Sequence, residues 1–236
     1  MRTVIWFVYF WMYLLAAIPV SAYIWTLEKR GQDARADRLV QGMVRRWARR
    51  LLRLAGAKVE VTGQDNLPDG PAVYAANHQG NFDIPILLTV LQEPHGLVAK
   101  QELAKLPFVR TWMRHLHCLF VDRSSPRAGA QVIVDGARLL ESGRSLSIFP
   151  EGTRSRGGAM HRFQGGACRI ATRAGVPIVP VTIDGSYRLM EAQGFWIRPA
   201  TVRVTIHPPI PTAGLSREQS RGLPECVRQT IVSALP

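Results

Sequence analysis

From Lys58 onward, short runs of β-branched and aliphatic residues alternate with stretches of helical periodicity. That alternation leaves few folds open. The expected strands are Lys58–Thr62, Ala72–Ala76, Gly96–Ala99, Cys118–Val121, Ser145–Phe149, Ile178–Ile183 and Thr201–Ile206. Between them the pattern predicts helices over Asp83–Gln92, Lys105–His115, Arg127–Glu141 and Gly165–Ala174, with a last one near Pro224–Leu235. Strands that alternate with helices form an α/β sandwich around a largely parallel sheet flanked by helices. No internal repeat or low-complexity tract interrupts the pattern.

The first quarter of the chain obeys a different rule. No residue from Val4 to Leu27 is charged, and that run is long enough to cross a bilayer core at about 1.5 Å per residue. A cleaved signal peptide would show a more basic amino end. Here only Arg2 precedes the run, and its Trp, Tyr and Phe residues favour a retained membrane or interfacial segment. Pro19 leaves two paths open, spanning and re-entrant. The next segment, "DRLVQGMVRRWARRLLRLAG", is amphipathic: Leu39, Val40, Met43, Val44, Trp47, Ala48, Leu51 and Leu52 share one arc, and Arg38, Arg45, Arg46, Arg49 and Arg53 gather opposite. The reading is an N-terminal helical membrane motif over residues 1–57 and an α/β domain over 58–236.

Charge supports this division. The chain carries +13, and ten basic against three acidic residues between Glu28 and Lys58 supply +7 of it. An excess of that size points to an anionic partner. No nucleic-acid-binding motif accompanies it. A basic amphipathic helix beside an uncharged segment fits anionic membrane lipid, with an ordinary domain helix bearing a solvated arginine face as the alternative. Basic residues on the carboxyl side of the segment place the rest of the chain on the cytoplasmic side of a plasma or inner membrane. Cys118, Cys168 and Cys226 lie far apart, with neither a disulfide framework nor a zinc spacing, as expected for incidental reduced thiols.

In open α/β sheets ligands collect beyond the carboxyl ends of the strands. Four polar clusters fall there: "NHQGNFD" after Ala76, "KQEL" after Ala99, "DR" after Val121 and "PEGTRS" after Phe149. His78 and Asp83 are five apart, about 140° out of phase on a continuous helix, so they cannot meet on one. In a turn that leads into a helix, the aspartate can reach back to the imidazole. A carboxylate accepting Nδ1–H fixes the tautomer, leaves Nε2 as a base and stabilises the imidazolium. The competing reading is that Asp83 only caps the helix that follows.

A covalent mechanism would need a nucleophile elbow, and no G-x-S-x-G is present. The base would then act directly on a bound alcohol. Arg123 and Arg154 are suited to clamp a phosphate. Glu151, which cannot favourably touch phosphate, is expected to orient Arg154 or to accept from a substrate hydroxyl. Backbone N–H groups at Gly152 and Thr153 offer an anion nest. His78, His115 and His117 lack metal-ligand spacing, so no metal is expected.

"NHQGNFD", "FVDR", "FPEGTRS" and "VPIVPVTI", in that order over roughly Lys58 to Ile210, resemble the four blocks of the glycerolipid acyltransferases, and of the 1-acylglycerol-3-phosphate acyltransferase family in particular. The resemblance implies transfer of a fatty acyl group from acyl-CoA or acyl-carrier protein to the 2-hydroxyl of lysophosphatidic acid, giving phosphatidic acid without a cofactor. It implies His78 as general base, Asp83 as its partner, and Arg123, Glu151, Gly152, Thr153 and Arg154, with Lys100, around the acceptor phosphate. It places the "VPIVPVTI" block on the acyl-donor side. Gly80 stands where the family often has serine, and Arg110 and Cys118 where glycines are common, which bears on the acceptor's identity. Alternatives are acylation of another lysolipid or an acyl-amino-acid lipid, or a non-catalytic peripheral lipid-binding protein. A binding protein would have no need of a base.

Overall fold

The computed structural model describes residues 1–236 except 92–94 and 123, and all side chains among them but that of Arg217. Seven strands form one sheet: β1 (Ala57–Thr62), β2 (Val73–Ala76), β3 (His95–Lys100), β4 (Leu119–Val121), β5 (Ser145–Ile148), β6 (Ile178–Asp184) and β7 (Ala200–Ile206), in the order β1-β7-β6-β2-β5-β3-β4. Every pairing is parallel except β6 with β7. Each expected strand exists within two residues of its expected bounds.

The helices are α1 (Arg2–Ala16), α2 (Ile18–Lys29), α3 (Asp33–Ala55), α4 (Asp83–Val90), α5 (Pro107–His115), α6 (Pro126–Glu141), α7 (Gly166–Ala174) and α8 (Arg217–Val232). The expected end of α4 at Gln92 lies outside the described residues. The start expected for α8 is wrong. Pro224 reads as a first helical residue, but it sits inside the helix. The true start is a capping box, in which Ser216 Oγ accepts from the Gln219 N–H at 3.2 Å and Gln219 Oε1 from the Ser216 N–H at 2.8 Å.

The central strands β2, β5 and β6 are buried on both faces, and the period-2 alternation of β2 shows how. Val73 and Ala75 enter a core with Leu146, Ile148, Ile170 and Val227, under α6, α7 and α8. Ala72, Tyr74 and Ala76 enter the opposite core, which the amino-terminal helices close with Trp6, Leu51, Leu52 and Ala55. The apolar arc of α3 is therefore spent inside the protein: Val40, Val44, Ala48, Leu51 and Leu52 are buried, while Arg38, Arg46, Arg49, Arg50 and Arg53 are exposed. The apolar arc of α3 is thus packed on the protein itself, and its arginine face is solvated. The helix does end as its sequence directs, with Gly56 in the left-handed region at φ 74°.

The uncharged segment breaks at Ala17. Pro19 has no N–H to donate and its ring opposes the preceding turn, so α1 stops and α2 restarts with proline in its first turn. The two axes are bent by 45°. No single helix among the described residues is long and apolar enough to cross a membrane, whereas the bent pair passes by length and composition. α1 has an inward side, where the Trp6 Nε1–H donates to the Leu51 carbonyl at 3.0 Å. Its outward side carries Val4, Ile5, Val8, Trp11 and Met12, each at least 42% exposed. Exposed apolar residues at that density are the kind of patch that binds apolar partners.

Candidate active site

β2 lies between β6 and β5, and the chain leaving it is fastened from both neighbours. As β2 ends, Asn77 imitates one more rung of the ladder: its Nδ2 donates to the Ile183 carbonyl at 2.8 Å and its Oδ1 accepts from the Ile183 N–H at 2.7 Å. The Gly185 N–H reaches Gln79 Oε1 at 2.8 Å. On the β5 side, Glu151 Oε1 accepts from the His78 N–H at 2.7 Å, and the Ser155 N–H donates to the His78 carbonyl at 2.8 Å. The backbone of His78 is thus fixed before its side chain makes any contact.

Asp83 is the first residue of α4, and its carboxylate is fully buried. Oδ2 accepts three times: from His78 Nδ1 at 2.7 Å, from the Gln79 N–H at 2.7 Å and from the Gly80 N–H at 2.9 Å. Oδ1 accepts from Ser186 Oγ. None of these donors belongs to α4, so the carboxylate turns back onto the loop rather than capping its helix. The imidazole also stacks on Phe149, with ring centroids 4.0 Å apart and planes 16° apart. Carboxylate and stack together hold the ring in one plane, with the Nδ1 proton facing Asp83 and Nε2 left as the basic nitrogen.

Glu151 behaves differently from its expected role. It is 4% exposed and both its oxygens are committed to backbone, Oε1 to His78 and Oε2 to the His161 N–H at 2.9 Å. Burial pushes its carboxyl up from the ordinary range, and the two amides pull it back. It ties the β5 loop to the β2 loop, and it does not pair with Arg154. That guanidinium meets Asn81 Oδ1 and, at 3.8 Å, Glu191 Oε1. Gly152, at φ 71°, uses its N–H on the Phe149 carbonyl at 3.1 Å, which removes that amide from the expected anion nest. Thr153 is exposed beside it, and Lys100 ends β3 exposed on the same carboxyl edge of the sheet. Arg123 lies outside the described residues. Of the other departures from the expected blocks, Cys118 is buried, and the burial pushes its thiol up to about 12.

The "VPIVPVTI" block forms β6, buried along its whole length. It is tied to the site through the Ile183 backbone, and the Gly185 N–H just beyond β6 adds a second tie. The 3-10 turns that follow, Ser186–Leu189 and Glu191–Gln193, supply the two polar side chains that sequence reasoning missed, Ser186 and Glu191. Neither falls in a recognisable spacing with His78, being more than a hundred residues away. Their only signal was a polar cluster following a strand that ends on the same sheet edge.

Residues 58–184 match the family model described as Acyltransferase. A 1-acyl-sn-glycerol-3-phosphate acyltransferase of Borreliella burgdorferi is 32% identical over 77% of this chain and 73% of its own length. A chloroplastic enzyme of the same name from Brassica napus is 35% identical over 65% of this chain, which spans less than half, 45%, of that longer protein. Among solved structures, the 1-acyl-sn-glycerophosphate acyltransferase of Thermotoga maritima superposes with a TM-score of 0.74 at 27% identity, covering 98% of this chain and 95% of that one. A parallel α/β sheet with these matches defines an enzyme that transfers acyl groups. The chain belongs to the acyltransferase family, among relatives named 1-acyl-sn-glycerol-3-phosphate acyltransferases.

Proposed function

We propose that the protein moves a fatty acyl group from a thioester, acyl-CoA or acyl-carrier protein, to the 2-hydroxyl of 1-acylglycerol-3-phosphate, giving phosphatidic acid. The observation that carries the reading is the 2.7 Å contact between His78 Nδ1 and a buried Asp83 carboxylate. In the reaction, Nε2 takes the hydroxyl proton as the oxygen attacks the thioester carbonyl. The tetrahedral intermediate collapses with cleavage of the C–S bond, and the imidazolium returns its proton to the departing thiolate. Asp83 stabilises the imidazolium between these steps. A base so placed contributes on the order of 10²–10⁴-fold. No acyl-enzyme forms and no redox change occurs.

Arg154, with Arg123, Lys100 and the turn at Gly152–Thr153, is assigned to the acceptor phosphate. Arg154 is suited to this because the loop holds its guanidinium while leaving the side chain 36% exposed. Residues 1–57 are assigned to attachment at an anionic membrane, with 58–236 carrying the chemistry on its cytoplasmic side. The outward apolar side of α1 and the arginine face of α3 support that division. Lying on the bilayer lets a water-insoluble product leave laterally. The test is purified protein with labelled acyl-CoA or acyl-carrier protein and a panel of lysolipids. Label is expected in phosphatidic acid. Transfer only to acceptors lacking the phosphomonoester would overturn the acceptor, and transfer to none would overturn the reading.

A further inference from the structure

The site contains a carboxylate that the mechanism above does not use. Glu191 lies on the short turn after β6, and its side chain is only 7% exposed. Oε1 accepts from the Asn81 N–H at 2.7 Å and faces Arg154 Nη1 at 3.8 Å. The orientation of Asn81 is set in turn, because its Nδ2 donates to Met190 Sδ at 3.7 Å and its Oδ1 takes Arg154. Oε2 of Glu191 is buried without a hydrogen-bond partner and lies against Gly80. A Cβ on Gly80 would collide with that oxygen and come within 2.8 Å of the carboxyl carbon. Gly80 is not free to move aside, since its own N–H is held by Asp83.

We propose that Glu191 is a positioning residue for the acceptor phosphate: it fixes Asn81 and, through Asn81 and its own charge, the guanidinium of Arg154, and its carboxylate occupies the space that a side chain at position 80 would need. This deepens the acceptor assignment and rests on the reading that Arg154 holds the phosphate. The departure at position 80 and the carboxylate at 191 are then one feature. Where the family often has a serine side chain after its histidine, this chain places a carboxylate delivered from the other side of the loop. Burial holds the Glu191 carboxyl above its ordinary range, with the nearby Asp83 charge adding to the rise and the Asn81 amide and Arg154 opposing it. An acid kept there against its own desolvation is held by the geometry around it.

The experiment measures kcat and both KM values for Glu191→Ala, Glu191→Gln, Gly80→Ser, the Gly80→Ser/Glu191→Ala pair and Arg154→Ala, with Tm for each. Glu191→Ala is expected to raise the acceptor KM about tenfold, the worth of one charge-assisted contact, with the donor KM and kcat within about twofold. Glu191→Gln keeps the volume and an acceptor for Asn81 and loses only the charge, so about a threefold rise at unchanged Tm is expected. It carries the test if the alanine variant fails to fold. Gly80→Ser should match Glu191→Ala, and the double variant should be no worse than Glu191→Ala alone, because serine then enters vacated space. If Arg154→Ala raises the acceptor KM and both Glu191 variants leave it unchanged, the inference is overturned while the phosphate reading stands. If Arg154→Ala itself leaves the acceptor KM unchanged, the phosphate reading fails and the inference with it. Additive losses in the double variant overturn the link to Gly80.

Discussion

Asp83→Asn separates two explanations of why the base needs a carboxylate. An amide offers one oxygen and one NH2. Three donors converge on Oδ2 of Asp83, from His78 Nδ1, the Gln79 N–H and the Gly80 N–H, whereas Oδ1 meets the hydroxyl of Ser186. An NH2 at the Oδ2 position would face all three donors, so the asparagine oxygen must sit there. The NH2 then meets Ser186 Oγ, which can accept once its own proton turns to Gln79 Oε1, 3.5 Å away. The imidazole tautomer is therefore retained, and only the charge is lost. Opposite charges about 4 Å apart interact by about 4 kcal/mol at an effective dielectric of 20. With the proton partly transferred in the transition state, about half of that, ~2 kcal/mol, falls on the barrier. The expected loss in kcat is ~30-fold and at most ~10³-fold, at roughly 1.4 kcal/mol per decade, with Tm near wild type. The assay is steady-state transfer of labelled acyl groups, with a thermal melt alongside. A loss of ~10⁴-fold, the scale seen when a base is left in the wrong tautomer, would refute the orientation argument. A loss below fivefold would show that the carboxylate charge does not stabilise an imidazolium.

His78→Ala is expected to lower kcat by more than ~10²-fold while membrane binding and Tm persist; activity within tenfold of wild type would remove the base assignment. Arg154→Ala should raise the acceptor KM by ~10–100-fold, from contacts of ~1.5–3 kcal/mol, and leave the donor KM alone, with Arg123→Ala expected to act in the same direction. Glu151→Gln, although isosteric, should lower Tm, because each Glu151 oxygen accepts from a different backbone N–H and an amide leaves one of them facing NH2. That costs ~1–3 kcal/mol, or about 2–4 °C per kcal/mol in a chain of this size, and an unchanged Tm would show the clamp to be idle. The intact protein should need detergent for extraction from membranes, whereas Val8→Glu/Met12→Glu, at positions 57% and 59% exposed, should make it extractable by high salt. Salt screens charge and leaves apolar anchoring intact, so extraction of the unmodified protein by salt alone would refute embedding of α1.

Local rules carried most of the sheet. Strands buried on both faces leave continuous apolar runs such as "VPIVPVTI", and these end where Gly or a polar cluster takes over, so their bounds were readable to within two residues. The pairing of His78 with Asp83 was readable for the same reason: both lie within the seven residues from Asn77 to Asp83, and the bend that lets them meet is the strand-to-helix turn itself. Other features depended on long-range packing. The periodicity of α3 was read correctly, but the pattern "apolar arc, arginine arc" is identical for a helix lying on lipid and one packed on α1 and α4. Only the neighbours decide. Pro224 shows the converse, a residue whose local preference for a helix start was overruled by a stronger cap at Ser216.

The exchange of roles between Glu151 and Glu191 marks where sequence reasoning stops. Glu151 lies three residues from Arg154, and nearness in sequence made it the expected partner. In the turn, however, its carboxylate is drawn to two backbone amides, which a buried acid must satisfy before it can do anything else. The arginine is left to a carboxylate 37 positions further on. No spacing encodes that contact, because β6 and the turn after it must first return beside β2. Gly80 held the one local trace of it: a missing side chain is uninformative until the group filling its place is known. His78 and Asp83 sit close together in this sequence, and the groups that fix their loop, Glu151, Gly185 and Ser186, arrive from beyond the neighbouring strands.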